Sequence, residues 1–221
     1  MNKPLSSGIG QWSVISLLVI ILLIAGYVAV GNTHQHSLLS TISDSYATDG
    51  YYVYSNDHLI PGADAKSFKV LTDSAYAMDT HAVYYDGTPL VGANPSSFAL
   101  ISDTSYSKDD HTVFYQGSPI VADASTFKTL TTDCGCSGFA TDKSAVYYEG
   151  APIIGADPVS FSEISNDYFA DANNVYYDNH KVAGADVASF VVSTDSTTTS
   201  TGIDYDAKDK NHLYYEGKRV K

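Results

Sequence analysis

The amino-acid sequence predicts an all-β fold: tandem β-hairpin repeats of about 30 residues in an open, solenoid-like array, preceded by one N-terminal transmembrane helix. Three observations lead there. One pattern recurs six times after residue 45, with Asp-to-Asp spacings of 30, 30, 33, 29 and 38. Each copy carries an aliphatic–aromatic pair, followed in five of the six by a two-residue turn signal, the pattern of a tight hairpin. An uncharged apolar run of nineteen residues, Trp12–Val30, precedes all of them.

That run comes first. At about 1.5 Å per residue it nearly matches a hydrocarbon core of about 30 Å, and a helix satisfies its own backbone there. Trp12 and Tyr27 sit near its ends, where amphipathic rings favour the interface. A cleaved signal is the alternative, with Ala29 and Gly31 as the small residues before a cut after Gly31. The run exceeds the usual 7–15-residue apolar stretch of such signals, which favours an anchor. No cysteine directly follows it for lipid attachment. Lys3 and the α-amine lie on one side and no Lys or Arg follows until Lys66, so the tail is expected in the cytoplasm and the remainder outside. The expected organisation is a cytoplasmic tail (1–11), a membrane anchor (12–31), a linker (32–45) and a six-copy repeat domain (46–221).

Each copy opens Tyr46-Ala-Thr-Asp49, Tyr76-Ala-Met-Asp79, Tyr106-Ser-Lys-Asp109, Phe139-Ala-Thr-Asp142 or Tyr168-Phe-Ala-Asp171, with a variant ending at Asp209. Four residues after the Asp stands Val53, Val83, Val113, Val146, Val175 or Leu213. An aromatic follows at Tyr54, Tyr84, Phe114, Tyr147, Tyr176 and Tyr214, then a second aromatic in every copy but the first, which has Ser55. Asp86-Gly87, Gln116-Gly117, Glu149-Gly150, Asp178-Asn179 and Glu216-Gly217 read as hairpin turns, because glycine accepts positive φ. Counting outward places Tyr85 opposite Thr88, Tyr84 opposite Pro89 and Val83 opposite Leu90. Asn94-Pro95 and Asp157-Pro158 read as an N-cap with Pro at the first helical position, so one short helical turn is expected before Phe68, Phe98, Phe127, Phe161 and Phe190. A closing strand is expected at Val70-Leu71 and Leu100-Ile101. Three strands per copy are fewer than the four of a propeller blade, so the open stack is preferred to a propeller-like ring. Thr194–Gly202 is low in complexity and is expected to be a surface loop.

The strings YAMDTHAVYYDG, FATDKSAVYYEG and AKDKNHLYYEG (207–217), each behind the same spacing, resemble the bacterial DKNYY repeat family. Only the last copy has the lettering itself, at Asp209-Lys210-Asn211. The resemblance implies a bacterial protein that is exported or membrane-anchored. It supplies no catalytic residue.

Two readings compete for the ring column Tyr54, Tyr84, Phe114, Tyr147, Tyr176 and Tyr214. The rings pack against the neighbouring unit, or they form an exposed stripe that binds glycan or a partner protein. The Asp column (Asp49, Asp79, Asp109, Asp142, Asp171, Asp209) reads as Asx turns; calcium is the alternative, although no EF-hand or nonapeptide spacing appears. His81 and His111 share a column and read as surface residues. Cys134 and Cys136 read as a small disulfide or two idle thiols, since no thioredoxin-like or zinc pattern surrounds them. No metal, cofactor or catalytic group is expected, and no nucleic acid, because 25 acidic residues against 12 basic give a net charge of −13. The expectation is a non-enzymatic extracytoplasmic scaffold with an unidentified protein partner, or else a glycan-binding module.

Overall fold

The computed structural model describes residues 39–71, 75–131 and 138–221. The expected tail 1–11 and anchor 12–31 lie outside the described residues, as do the linker up to residue 38 and both Cys134 and Cys136. Among the described residues no helix is long and apolar enough to cross a membrane. Their strands form six four-stranded antiparallel sheets, each a meander in chain order. Internal packing divides the chain into Met1–Thr41 and Ile42–Lys221, and the second unit holds all six sequence copies.

The second sheet shows the plan. Its strands are Lys69–Val70, Tyr76–Met78, Val83–Tyr85 and Thr88–Pro89. The hairpin register is the one the turn residues dictate: Tyr84 pairs with Pro89 and Tyr85 with Thr88. The strand count is not. Tyr76–Met78, read from sequence only as the copy's opening, is itself a strand, pairing Ala77 with Tyr84 and Met78 with Val83. Three residues ended by an Asp are too short to show an alternating pattern, so each copy holds four strands rather than three. Strand number therefore does not separate a stack from a propeller blade. Lys69–Val70, the closing strand of the first copy, pairs in the sheet of the second. Each sequence copy is thus stitched into the next by main-chain hydrogen bonds.

Among the described residues the expected helical turn is a 3-10 turn only at Val187–Ser189, capped by the Asp186 side chain accepting from Ser189 N. Elsewhere the same place holds a single bend, closed by Phe68 N donating to Asp64 O (3.0 Å), Phe127 N to Asp123 O (2.9 Å) and Phe161 N to Asp157 O (3.0 Å). Thr194–Gly202, expected to be a loop, is strand in its first five residues: Val191–Thr198 is an eight-residue strand whose Thr197 and Thr198 oppose Tyr205 and Asp204 beyond a break in register after Val192. β-Branched threonines suit a two-stranded extension of the last sheet.

In the sheets that lie between two others, the aliphatic and the first aromatic of the Val83–Tyr85 type of strand are buried on opposite faces, each against a neighbouring sheet. Val83 faces a core with Tyr76, Leu90 and Phe114 of the following copy, while Tyr84 faces the preceding copy's Tyr46, Val53 and Ile60. The same arrangement recurs in three further cores. The Phe after Ser or Thr bridges each joint: Phe68 lies 5.3 Å from Tyr46 and 5.6 Å from Tyr84, and Phe190 lies 5.3 Å from both Tyr168 and Tyr214. Such tilted ring pairs add to the area they bury.

Candidate functional site

The Asp column is a structural clamp. Asp79 Oδ1 accepts from His81 N (2.7 Å) and Ala82 N (2.8 Å), closing the expected Asx turn. Its Oδ2 accepts from Asp64 N (2.8 Å), fifteen residues earlier, and from the Tyr84 hydroxyl (2.8 Å). Asp142, Asp171 and Asp209 repeat all four contacts. Burial works to raise the pKa of each of these carboxyls, but the converging donors outweigh it and hold all four below the ordinary value. Asp109 lacks the hydroxyl donor, because the ring in its copy is Phe114.

The column Tyr54, Tyr84, Phe114, Tyr147, Tyr176 and Tyr214 is therefore core, at 9% exposure or less. Tyr84, Phe114, Tyr147, Tyr176 and Tyr214 pack between sheets, and each tyrosine hydroxyl in the column meets an Asp of the Asp column. The rings form no surface stripe. Cross-strand reasoning placed them on one sheet face but could not show that the next sheet covers it.

A second tyrosine column locks the sheets together. Tyr46 Oη donates to Ala75 O (3.0 Å) and accepts from Gly87 N (3.0 Å) in the next copy. Tyr106 does the same with Gly138 O and Gly150 N. Tyr168 accepts from Gly217 N, but donates to the Asp206 carboxylate (2.7 Å), which also takes Glu216 N and so replaces a main-chain carbonyl. Phe139 carries no hydroxyl. There the next copy supplies Phe169 instead of a small residue, with ring centres 4.2 Å apart.

His81 and His111 have exposed side chains, and His111 Nδ1 lies 2.8 Å from Asp110 Oδ1. Asp109, Asp110 and His111 bring three potential metal donors within 4.8 Å. Their oxygens already serve the turn: Asp109 accepts from His111 N, Thr112 N and Asn94 N, and Asp110 Oδ1 from Ser97 and Asn94.

With the sheet faces occupied, the outer edge is what each copy offers to solvent. The last strand of each sheet is an edge strand, and Pro89, Pro119 and Pro152 lie there exposed, where a missing N–H blocks strand addition. Just past them stand Val91, Val121 and Ile154, exposed by 92%, 97% and 87%. They occupy one position in three successive copies. An open groove of about 760 Å³ runs beside Val121, lined also by Pro119, Pro152 and Lys143. Sequence reasoning passed over this apolar row; the signal was the residue before each Gly-Ala or Ala, namely Pro61, Val91, Val121, Ile154 and Ala183.

Against known families, the model of the DKNYY family matches residues 46–180, more than half of the chain. No curated protein and no solved structure matches.

Proposed function

The chain belongs to the DKNYY family, and from that premise we propose that it is a membrane-anchored, extracytoplasmic scaffold whose stacked repeats hold a protein partner along their outer edge. The observation that carries this reading is the row Val91, Val121 and Ile154. Apolar side chains left almost wholly in water at one repeated position form a linear surface, and extended surfaces are what repeat arrays offer a partner. The glycan alternative required exposed rings at Tyr54, Tyr84, Phe114, Tyr147, Tyr176 and Tyr214, and their burial removes its support. The scaffold is not an enzyme in this reading: each copy repeats the same residues, whereas catalysis needs unlike groups converging on one cleft.

An open stack, rather than a ring, is the arrangement we favour within Ile42–Lys221. Val53, Val83, Val113, Val146 and Val175 are fully buried, yet their counterpart Leu213 is only partly covered and the adjoining Val220 is 40% exposed. The last sheet thus keeps an uncovered outer face, and Asp206 stands there in place of the opening aromatic. The anchor reading is supported by the apolar run at 12–31 and the charge asymmetry around it; mass spectrometry of the membrane fraction checks it, a mature N-terminus at Asn32 indicating cleavage.

A photoreactive residue at position 121, used in living cells, tests the scaffold reading. A discrete crosslinked protein is expected, and it disappears when Val91 and Ile154 are changed to Asp. Those changes leave the fold intact because both side chains point into solvent. Absence of any adduct at 121, or an adduct unaffected by the flanking charges, overturns the proposal.

A further inference from the structure

The last sheet keeps one face open, and register assigns the residues on it. Directly paired residues of neighbouring strands share a face. Val191 opposes Lys208, and Lys208 opposes Leu213. Val220 N donates to Leu213 O (2.8 Å), as Leu90 N does to Val83 O. One row thus crosses all four strands, and Tyr215 with its partner Lys218 stands beside it on the same face. Val220 is 40% exposed, where Ile60, Leu90, Ile153 and Val182 in its place are 3–9% exposed. Tyr215, Lys208 and Lys218 are exposed as well. Charge also sets this end apart. Residues 207–221 carry five basic side chains against two acidic, while residues 1–206 carry seven against twenty-three.

The third sheet shows what such a face receives. Lys108 opposes Val113 as Lys208 opposes Leu213. Its Nζ donates to Ala124 O (2.7 Å), inside the bend that Phe127 N closes on Asp123 O. Ala124 and Phe127 are buried in one core with Val113, and Ile120 packs against it. A lysine at this position therefore takes a main-chain carbonyl of the covering bend, while the apolar row takes its ring. Among the described residues nothing pairs with the Lys208 ammonium.

We propose that the outer face of the last sheet binds a segment of a partner protein: a short acidic bend that carries an aromatic side chain. The ring covers Leu213 and Val220, a main-chain carbonyl of the bend accepts from Lys208, and Lys218 with its basic neighbours favours the acidic side chain. A second copy is the poorer occupant. Its own bends already pack Phe68, Phe98, Phe127, Phe161 and Phe190 into its joints, and two basic end faces repel each other. The face is separate from the row Val91, Val121 and Ile154, so either surface can fail without the other.

The probe is a fluorescein-labelled, amidated peptide of residues 121–127 (VADASTF), titrated with the full-length chain in detergent micelles and read by fluorescence anisotropy. Saturable binding at one site per chain is expected, weakened severalfold by about 0.5 M salt. Replacing the peptide's phenylalanine by alanine should abolish it. Val220→Asp should abolish it too, and Lys208→Met should weaken it about tenfold. Both positions are exposed, so the circular dichroism spectrum should not change. Val91→Asp should leave binding as it was. Maleimide labelling of Val220→Cys in the native chain, mapped by mass spectrometry, should be fast; protection there means that the face is covered, and overturns this proposal and the open stack together. No saturable binding to an accessible face, or binding that survives Val220→Asp, overturns the proposal alone. So does self-association of the chain that Val220→Asp removes, because the occupant is then a second copy.

Discussion

Asp79 shows how much one carboxylate does in this fold: its two oxygens take three main-chain N–H groups and the Tyr84 hydroxyl. Asp79→Ala strands those donors at a buried position, so a loss of about 3 kcal/mol or more in urea unfolding is expected. The third copy allows the converse experiment. Phe114 is fully buried beside Asp109, whose Oδ2 accepts from Asn94 N at 2.8 Å. Phe114→Tyr should supply the hydroxyl its counterparts have and raise stability by about 1 kcal/mol, read as a shift in melting temperature. Tyr84→Ala should destabilise the fold about as severely as Val83→Asp, because both side chains are core. An exposed ring would have tolerated the change.

Among the elements, the turns separate two kinds of glycine: those after a sheet's last strand and those inside its hairpin. Gly92 has φ +83° with open space around its missing β-carbon, whereas Gly117 has φ +73° and Tyr85 carbon atoms as near as 2.5 Å. Gly92→Ala should cost only the strain of positive φ, about 1 kcal/mol. Gly117→Ala should cost clearly more, since Tyr85 must also leave its place; thermal unfolding of the two variants compares them. The joint between the fourth and fifth copies relies on ring stacking where others use a hydroxyl. Phe169 lies 4.2 Å from Phe139 and stacks on Phe161 with ring planes 7° apart. Phe169→Ala removes both contacts and should cost about 3–5 kcal/mol. The turns and their register were legible in Asp-Gly and Glu-Gly, because turn geometry is local. The strand Tyr76–Met78 was not, since three residues show no period and only pairing with Val83–Tyr85 makes them a strand.

For the repeat domain as a whole, acid and alkali act on the same joints from opposite sides. Asp79, Asp142, Asp171 and Asp209 titrate below the ordinary carboxylate value near 3.9, so the stability they supply is complete above about pH 5 and is lost as pH falls through their lowered range. Burial pushes the Tyr106 and Tyr214 hydroxyls up to about 12, with the Asp209 contact adding to the shift at Tyr214. A raised tyrosine supplies stability that is full below its unfolded value near 10 and is lost as pH climbs toward about 12. The urea midpoint is therefore expected to be flat from about pH 5 to 9 and to fall on both sides, with the fluorescence and circular dichroism transitions moving together.

The sequence alone determined whatever depends on neighbours along the chain: the copy number, the hairpin turns, the Asx turns of the Asp column, and a backbone rich in strands. These follow from glycine's access to positive φ, from a carboxylate reaching its own backbone, and from side-chain alternation along a strand. Only the tertiary structure decided which surfaces remain. A ring at position 84 looks the same in sequence whether the next sheet covers it or not, and here the hydroxyl of that ring closes a clamp built from residues 64, 79, 81 and 82. Val91, Val121 and Ile154, which resemble core residues by composition, lie in solvent because the chain turns at each of them before the next sheet begins. Ser55 stands where most other copies have a second tyrosine, and only the structure shows it buried against Gly87 of the following copy.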